Sequence, residues 1–112
     1  HQILNGKAPR LFNDSNKILR DFIFIDDVIQ ANIKACSFTS GGIFNVGTGT
    51  PRSFQEIADI LQKELGTNYN TEYFPNPHNS YQNHTQADIK STNKFLKFNP
   101  YLLLYRYFIY QY

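Results

Sequence analysis

The chain has 112 residues, of which 41% are hydrophobic, and its formal net charge is +2. This composition argues against disorder along the whole chain, and the small charge gives no reason to expect a nucleic-acid partner. Cys36 is the only cysteine, which excludes an internal disulfide and CxxC-type metal sites, and we expect it to fill space in the core. The absence of methionine predicts that the chain is a piece of a longer protein.

The first predicted elements are short. Residues 1–5 indicate the end of a helix, with Gly6 as its C-terminal cap. Residues 10–12 predict a strand, and the asparagine, aspartate and serine side chains of residues 13–16 predict a polar turn.

The stretch from Arg20 to Val28 predicts a strand that runs directly into a helix. Phenylalanine and isoleucine alternate over residues 22–25, so both faces are apolar, as in a strand buried on both sides. We expect Asp26 to cap a helix that begins near Val28. Arg20 places a fixed cation at the end of this strand, where an anionic ligand could meet it. A salt-bridged arginine at the edge of a sheet explains the same pattern.

The helix is predicted to end near Cys36, and residues 42–47 predict a second buried strand. The sequence Gly47-Thr48-Gly49 follows, but the residues after it complete neither a P-loop nor a G-x-G-x-x-G dinucleotide loop. Close backbone packing where the strand ends is therefore favoured over phosphate binding.

Ser53 and Glu56 have the spacing of a capping box, which predicts a helix that ends near Leu65. The remaining predicted elements are a strand at residues 71–74, a loop through residue 83 and a helix at residues 88–96. The sequence from Tyr81 to Asp88 is dense in hydrogen-bonding groups. It is interpreted either as a solvated loop or as a ligand-facing segment in which Tyr81 stacks or donates.

Five short motifs occur in one order: P-R-L-F at 9–12, R-D-F at 20–22, F-N-V-G-T-G at 44–49, S-F-Q at 53–55 and Y-Q-x-x-T-Q-A-D at 81–88. Together they resemble the extended short-chain dehydrogenase/reductase superfamily, and within it most closely the ADP-L-glycero-D-manno-heptose 6-epimerase family. The last motif discriminates best, because related sugar-nucleotide epimerases commonly carry an arginine in place of Tyr81. The likeness covers about residues 1–100.

The resemblance implies an α/β fold in which residues 1–100 form the C-terminal, substrate-binding segment and the Rossmann half is missing. The family's G-x-x-G-x-x-G loop and its Tyr-x-x-x-Lys pair do not occur in the sequence. The resemblance therefore implies that the chain supplies no catalytic or cofactor-binding residue, and we expect no metal-binding residue either. NADP would be bound by the missing N-terminal half, and the chain alone would be inactive.

Substrate-binding residues are implied only where this sequence matches the family. Phe12, Ser15, Arg20 and Tyr81 match, and Arg20 corresponds to the arginine that contacts the phosphates of the nucleotide-sugar. Asn13 and Asp14 lie in the same segment but differ in residue type. All six are candidate substrate-binding residues.

The implied reaction interconverts ADP-D-glycero- and ADP-L-glycero-D-manno-heptose for the synthesis of lipopolysaccharide core. NADP takes a hydride from C6 of the sugar and returns it to the other face. The implied partner is an ADP-sugar in a cytoplasmic homo-oligomer, with no nucleic acid and no membrane. The alternatives are another NAD(P)-dependent sugar-nucleotide epimerase or dehydratase, a non-catalytic nucleotide-sugar binding module and a nonfunctional gene remnant.

Residues 101–112 depart from the family, which has an amphipathic helix there. This tail is aromatic, nearly uncharged and similar to an aggregation-prone segment. We interpret it as the product of a reading-frame change or as a divergent end.

Overall fold

The structure is a computed structural model that describes residues 1–78 and 81–101. After a 3₁₀ helix at Ile3–Asn5, its elements are β1 (Arg10–Phe12), β2 (Leu19–Arg20), α1 (Ile25–Cys36), β3 (Arg52–Ser53), α2 (Phe54–Glu64), β4 (Glu72–Phe74) and α3 (Lys90–Leu96). This mixture of helices and strands confirms the predicted α/β class. The elements belong to two compact units, each built from separate stretches of the chain.

The first unit includes His1–Arg20 and Arg52–His84, and its strands form two small sheets. Strand β1 runs parallel to β4, with Phe12 opposite Phe74. Strand β2 runs antiparallel to β3, with Arg20 opposite Arg52. The strands predicted at residues 10–12 and 71–74 are therefore confirmed, and they are neighbours although the sequence separates them widely.

Helix α2 has the capping box that the sequence predicted. The Ser53 hydroxyl accepts a hydrogen bond from the Glu56 N–H at 3.0 Å, and the Glu56 carboxylate accepts one from the Ser53 N–H at 2.7 Å. At the other end of the helix, the buried Gln62 side chain donates to the Tyr69 carbonyl at 3.0 Å and accepts from the Tyr69 N–H at 2.6 Å. Both ends of α2 are therefore held by side-chain hydrogen bonds.

The second unit includes Asp21–Pro51 and the described residues from 85 to 101. Ala31 of α1 packs with Leu96 and Phe98 in its core, and further side chains from residues 23–46 pack against this cluster. The buried Asp27 carboxylate accepts the Tyr101 N–H at 3.1 Å through each oxygen. This contact fixes the chain after α3 to the first turn of α1.

The two buried strands predicted at residues 22–25 and 42–47 are wrong. No strand is assigned over residues 21–24 or 41–51, and α1 already begins at Ile25. Ile43 is 96% exposed. A strand buried on both sides needs neighbouring strands, and the sheets of the described residues pair only β1 with β4 and β2 with β3.

Two predictions about α1 are also wrong. Asp26 lies inside the first turn of the helix, and the cap residue is Phe24, which makes no side-chain capping bond. Asp26 and Asp27 still lie where the helix dipole favours negative charge. Cys36 is exposed rather than a core residue, because it lies one residue beyond Ala35, off the helix face that buries Ala31.

The remaining predictions have mixed outcomes. Gly6 has a left-handed conformation and its N–H donates to the Ile3 carbonyl, as expected of a C-terminal cap, although the helix before it is a single 3₁₀ turn. The last helix begins two residues later than predicted. The predicted boundary at residue 100 stays a prediction, because residues 102–112 lie outside the described part. No described helix is long and apolar enough to cross a membrane.

We predict that Ser53→Ala lowers the free energy of unfolding by about 1 kcal/mol, because the N-terminal amides of α2 lose their side-chain acceptor. Urea denaturation followed by far-ultraviolet circular dichroism measures this loss. Ser40→Ala is the control, since Ser40 is exposed and caps no helix. Equal stability of the two variants would contradict the role of the capping box.

Candidate functional site

The first unit contains a cavity of about 170 Å³ between β1, β4 and the start of α2. Most of the residues around it are aromatic or aliphatic, and the lining comprises Arg10, Leu11, Phe12, Ser15, Ile18, Phe54, Phe74 and Tyr81. An apolar cavity with a few polar groups is the usual form of a small-molecule site. Three of the six predicted substrate-binding residues lie in this lining.

The aromatic wall of the cavity centres on Phe12. Its ring lies 4.9 Å from the Phe74 ring and 5.7 Å from the Tyr81 ring, both edge-to-face. The Phe74 contact follows from the register of β1 and β4, and Tyr81 comes from the loop before His84. The wall gives a ligand flat apolar surfaces against which a base or a sugar ring can pack.

Arg20 lies beside this wall. Its guanidinium carbon is 5.0 Å from the centre of the Tyr81 ring and 6.0 Å from that of Phe54. The guanidinium donates hydrogen bonds to the carbonyls of Leu19 and Gln82. Among the described residues, no carboxylate forms an ion pair with Arg20. Within the described part of the chain, Arg20 is therefore not the salt-bridged arginine of the alternative interpretation, and no carboxylate there neutralises its charge.

Ser15 is the most buried polar residue of the cavity, with 2% of its surface exposed. Its N–H donates to the Phe12 carbonyl at 3.1 Å, but its hydroxyl has no hydrogen-bond partner among the described residues. An unsatisfied buried hydroxyl costs free energy, and a bound ligand could satisfy it.

Asn13 and Asp14 do not line the cavity, although they lie between two residues that do. Both are exposed, and the Asp14 carboxylate accepts a hydrogen bond from Lys17 at 2.7 Å. Asp14 has a left-handed backbone with φ of 61°. The turn therefore directs Phe12 and Ser15 to the cavity and leaves the two intervening residues on the surface.

Arg10 and Phe74 also line the cavity, but sequence reasoning gave neither a role. Arg10 stood inside the P-R-L-F motif, and Phe74 was predicted only as a strand residue. The pairing of β1 with β4 brings these two residues to the cavity, and no local sequence pattern predicts that pairing.

The contacts of the second unit decide between phosphate binding and close backbone packing for Gly47 and Gly49. The Asp21 carboxylate accepts the backbone N–H groups of Thr48 at 2.8 Å, Gly49 at 2.9 Å and Ala87 at 3.0 Å, as well as the Thr48 hydroxyl. A Cβ on Gly47 would lie 2.5 Å from the Ala87 Cβ. Asp21 already occupies these amides, so the loop does not fit a dinucleotide phosphate. The prediction of close backbone packing is confirmed.

The segment from residue 81 to residue 88 is divided between the two units. Tyr81 lines the cavity of the first unit. In the second unit, the Gln86 side chain donates to the Gly49 carbonyl at 2.7 Å. The ligand-facing interpretation of Tyr81 stays a prediction, whereas the end of the segment makes structural contacts.

No protein-family model matches the chain, but several solved structures match it. The chain aligns over 88% of its length with ADP-L-glycero-D-manno-heptose-6-epimerase from Helicobacter pylori, with 40% sequence identity and a TM-score of 0.76. It therefore belongs to the sugar-nucleotide epimerases of the short-chain dehydrogenase/reductase superfamily.

Two other sugar-nucleotide epimerases match at lower identity. UDP-N-acetylglucosamine 4-epimerase from Methanobrevibacter ruminantium, in complex with UDP-N-acetylmuramic acid, is 26% identical over 89% of the chain, with a TM-score of 0.81. UDP-glucuronic acid 4-epimerase from Bacillus cereus, in complex with UDP-glucuronic acid and NAD, is 26% identical over 91%, with a TM-score of 0.79. The chain spans between 30% and 33% of the lengths of these epimerases.

The hydrogen bonds to Asp21 predict a pH dependence of stability. Partial burial alone would raise the pKa of Asp21, but the hydrogen bonds from Thr48, Ala87 and Gly49 outweigh it and lower the pKa below 3.8. Because the folded-state pKa lies below the unfolded value, this stabilisation is present above the unfolded pKa. It is lost as the pH falls through the folded pKa.

We therefore expect the free energy of unfolding of Asp21→Asn to fall below that of the wild type at neutral pH. The difference should shrink once the pH drops below about 4. Urea denaturation at a series of pH values measures it. Asp59→Asn, on the exposed face of α2, is the control for the loss of a carboxylate. A difference that stays constant with pH would contradict the role given to the Asp21 hydrogen bonds.

Proposed function

We propose that this chain supplies the nucleotide-sugar binding surface of an ADP-L-glycero-D-manno-heptose 6-epimerase, the enzyme that interconverts the two ADP-glycero-manno-heptose epimers. One observation carries the proposal. Phe12, Ser15 and Tyr81 line a single cavity, and Arg20 packs on Tyr81. The 40% identity to the Helicobacter pylori enzyme supports the choice among the epimerases.

The side chains around the cavity suit different parts of an ADP-sugar. Arg20 carries a guanidinium that no carboxylate of the described residues neutralises, and its planar fork matches phosphate oxygens. Phe12 and Tyr81 offer ring surfaces to the base or the sugar. The Ser15 hydroxyl, which lacks a partner among the described residues, can bond to a polar group of the ligand.

The cofactor belongs to a different part of the enzyme in this proposal. The Gly47-Thr48-Gly49 loop does not fit the phosphates of NADP, because Asp21 already accepts the amides of Thr48 and Gly49. The NADP site and the residues of proton and hydride transfer would come from the part of the epimerase fold outside the matched third. The chain by itself would bind substrate without turning it over.

The second candidate is another sugar-nucleotide epimerase that takes a UDP-sugar. It is favoured by the two UDP-sugar 4-epimerases, whose TM-scores of 0.81 and 0.79 exceed the 0.76 of the heptose enzyme. The two candidates differ in the base of the preferred ligand.

Calorimetric titration of the full chain with ADP-glucose and UDP-glucose tests the proposal. We expect ADP-glucose to bind more tightly, and Arg20→Ala to weaken it by about tenfold or more because a charge-assisted contact to phosphate is lost. Lys63→Ala is the matched control, since it removes one positive charge of the first unit outside the cavity.

The titration separates the candidates. Preference for UDP-glucose would replace the heptose proposal by the second candidate. A folded chain, checked by circular dichroism, that binds neither ligand would overturn both.

A further inference from the structure

Arg10 lines the cavity, and nothing above gives it a function. It is the first residue of β1, and its guanidinium carbon lies 5.3 Å from the centre of the Phe74 ring. Phe74 is one of the rings of the aromatic wall. The side chain of Arg10 therefore covers the end of the wall that Phe74 forms, as that of Arg20 covers Tyr81.

The wall and the two arginines form one continuous series. From Arg10 the contacts run to Phe74 at 5.3 Å, to Phe12 at 4.9 Å, to Tyr81 at 5.7 Å and to Arg20 at 5.0 Å. Each distance is within the range of cation–π or ring–ring attraction. A ligand packed along these rings would meet a guanidinium at each end.

The two ends differ in charge. The parallel register sets Arg10 opposite Glu72, and the Arg10 Nε lies 3.4 Å from a Glu72 carboxylate oxygen. No such carboxylate accompanies Arg20 among the described residues. Glu72 partly neutralises Arg10, while the terminal amino groups of Arg10 have no hydrogen-bond partner in the described part of the chain. Arg10 is thus a donor suited to a neutral acceptor, and Arg20 is a cation suited to an anion.

We propose that Arg10 contacts the base of the bound nucleotide-sugar while Arg20 contacts its diphosphate. The inference rests on the proposed function and adds the direction in which the ligand lies. Nucleobases carry neutral ring-nitrogen and carbonyl acceptors at their edges, to which a guanidinium donates. Glu72 is a positioning residue in this arrangement, because it holds Arg10 over Phe74 and weakens its attraction for phosphate.

Binding of two ligands that share a diphosphate and differ in the base tests this assignment. Affinities of the full chain for ADP and for inorganic pyrophosphate are measured by calorimetry for the wild type, Arg10→Ala, Arg20→Ala and the control Lys63→Ala. We expect Arg10→Ala to weaken ADP about tenfold and to change pyrophosphate binding by less than about twofold. Arg20→Ala should weaken both ligands.

Two further variants test the roles of Arg10 and Glu72 without relying on the alanine variant. Arg10→Lys retains the charge and a partner for Glu72 but lacks the planar fork, so it should lose ADP affinity selectively even if the alanine variant is poorly folded. Glu72→Gln removes the neutralising carboxylate, so it should strengthen pyrophosphate binding by about twofold or more. A merely structural role of Glu72 would not produce that gain.

Three outcomes are distinguishable. Equal loss of ADP and pyrophosphate binding in both Arg10 variants would show that Arg10 contacts phosphate and would overturn the assignment. Unchanged ADP binding in those variants would overturn it as well, while the proposed function would stand. A folded wild-type chain that binds no ADP-glucose would overturn the proposed function, and the assignment with it.

Discussion

The parallel register of β1 and β4 is the constraint on which the candidate site depends. It sets Phe12 beside Phe74 and Arg10 beside Glu72, so one backbone pairing produces both the centre of the aromatic wall and the ion pair at its end. The ladder extends beyond the strands, because the Asn13 N–H donates to the Phe74 carbonyl at 2.8 Å. A slip of one residue in either strand would place the two phenylalanines on opposite faces of the sheet and remove their ring contact.

The second unit depends on a carboxylate that the protein uses for its own structure. Asp21 accepts backbone amides from two separate segments, at Thr48–Gly49 and at Ala87, and so joins them. This arrangement explains why position 47 is a glycine, since a side chain there would overlap both Asp21 and Ala87. Arg20 and Asp21 are adjacent in the sequence and carry opposite charges, yet Arg20 packs on the Tyr81 ring whereas the Asp21 carboxylate accepts hydrogen bonds from the backbone.

Local chemistry predicted the local elements well. The Ser53–Glu56 capping box and the left-handed Gly6 depend only on nearby residues, and both are present. The two predicted buried strands failed, because an apolar segment shows what could be buried and not whether neighbouring strands exist beside it. The prediction that Cys36 lies in the core failed for a related reason, since small neighbours do not determine whether a residue lies on the buried or the exposed face of a helix.

The candidate site was predictable where a motif carried it. Phe12, Ser15 and Tyr81 came from motif matches and lie together at the cavity, whereas Asn13 and Asp14 were included by position and point elsewhere. Arg10 and Phe74 could not be found, because their proximity is created by strands that are far apart in the chain. Pairing of distant strands is the part of a fold that a sequence pattern specifies least.

The interleaving of the two units has a consequence for how the chain can fold during synthesis. The chain passes between the units after Arg20, Pro51 and His84, so each unit contains a stretch inserted into the other. Strand β1 leaves the ribosome long before β4, with α1 and α2 made in between. The edge of β1 therefore stays unpaired until β4 has been made, and closing that long loop is an entropic barrier to folding. For the same reason, no single cut in the chain separates the two units.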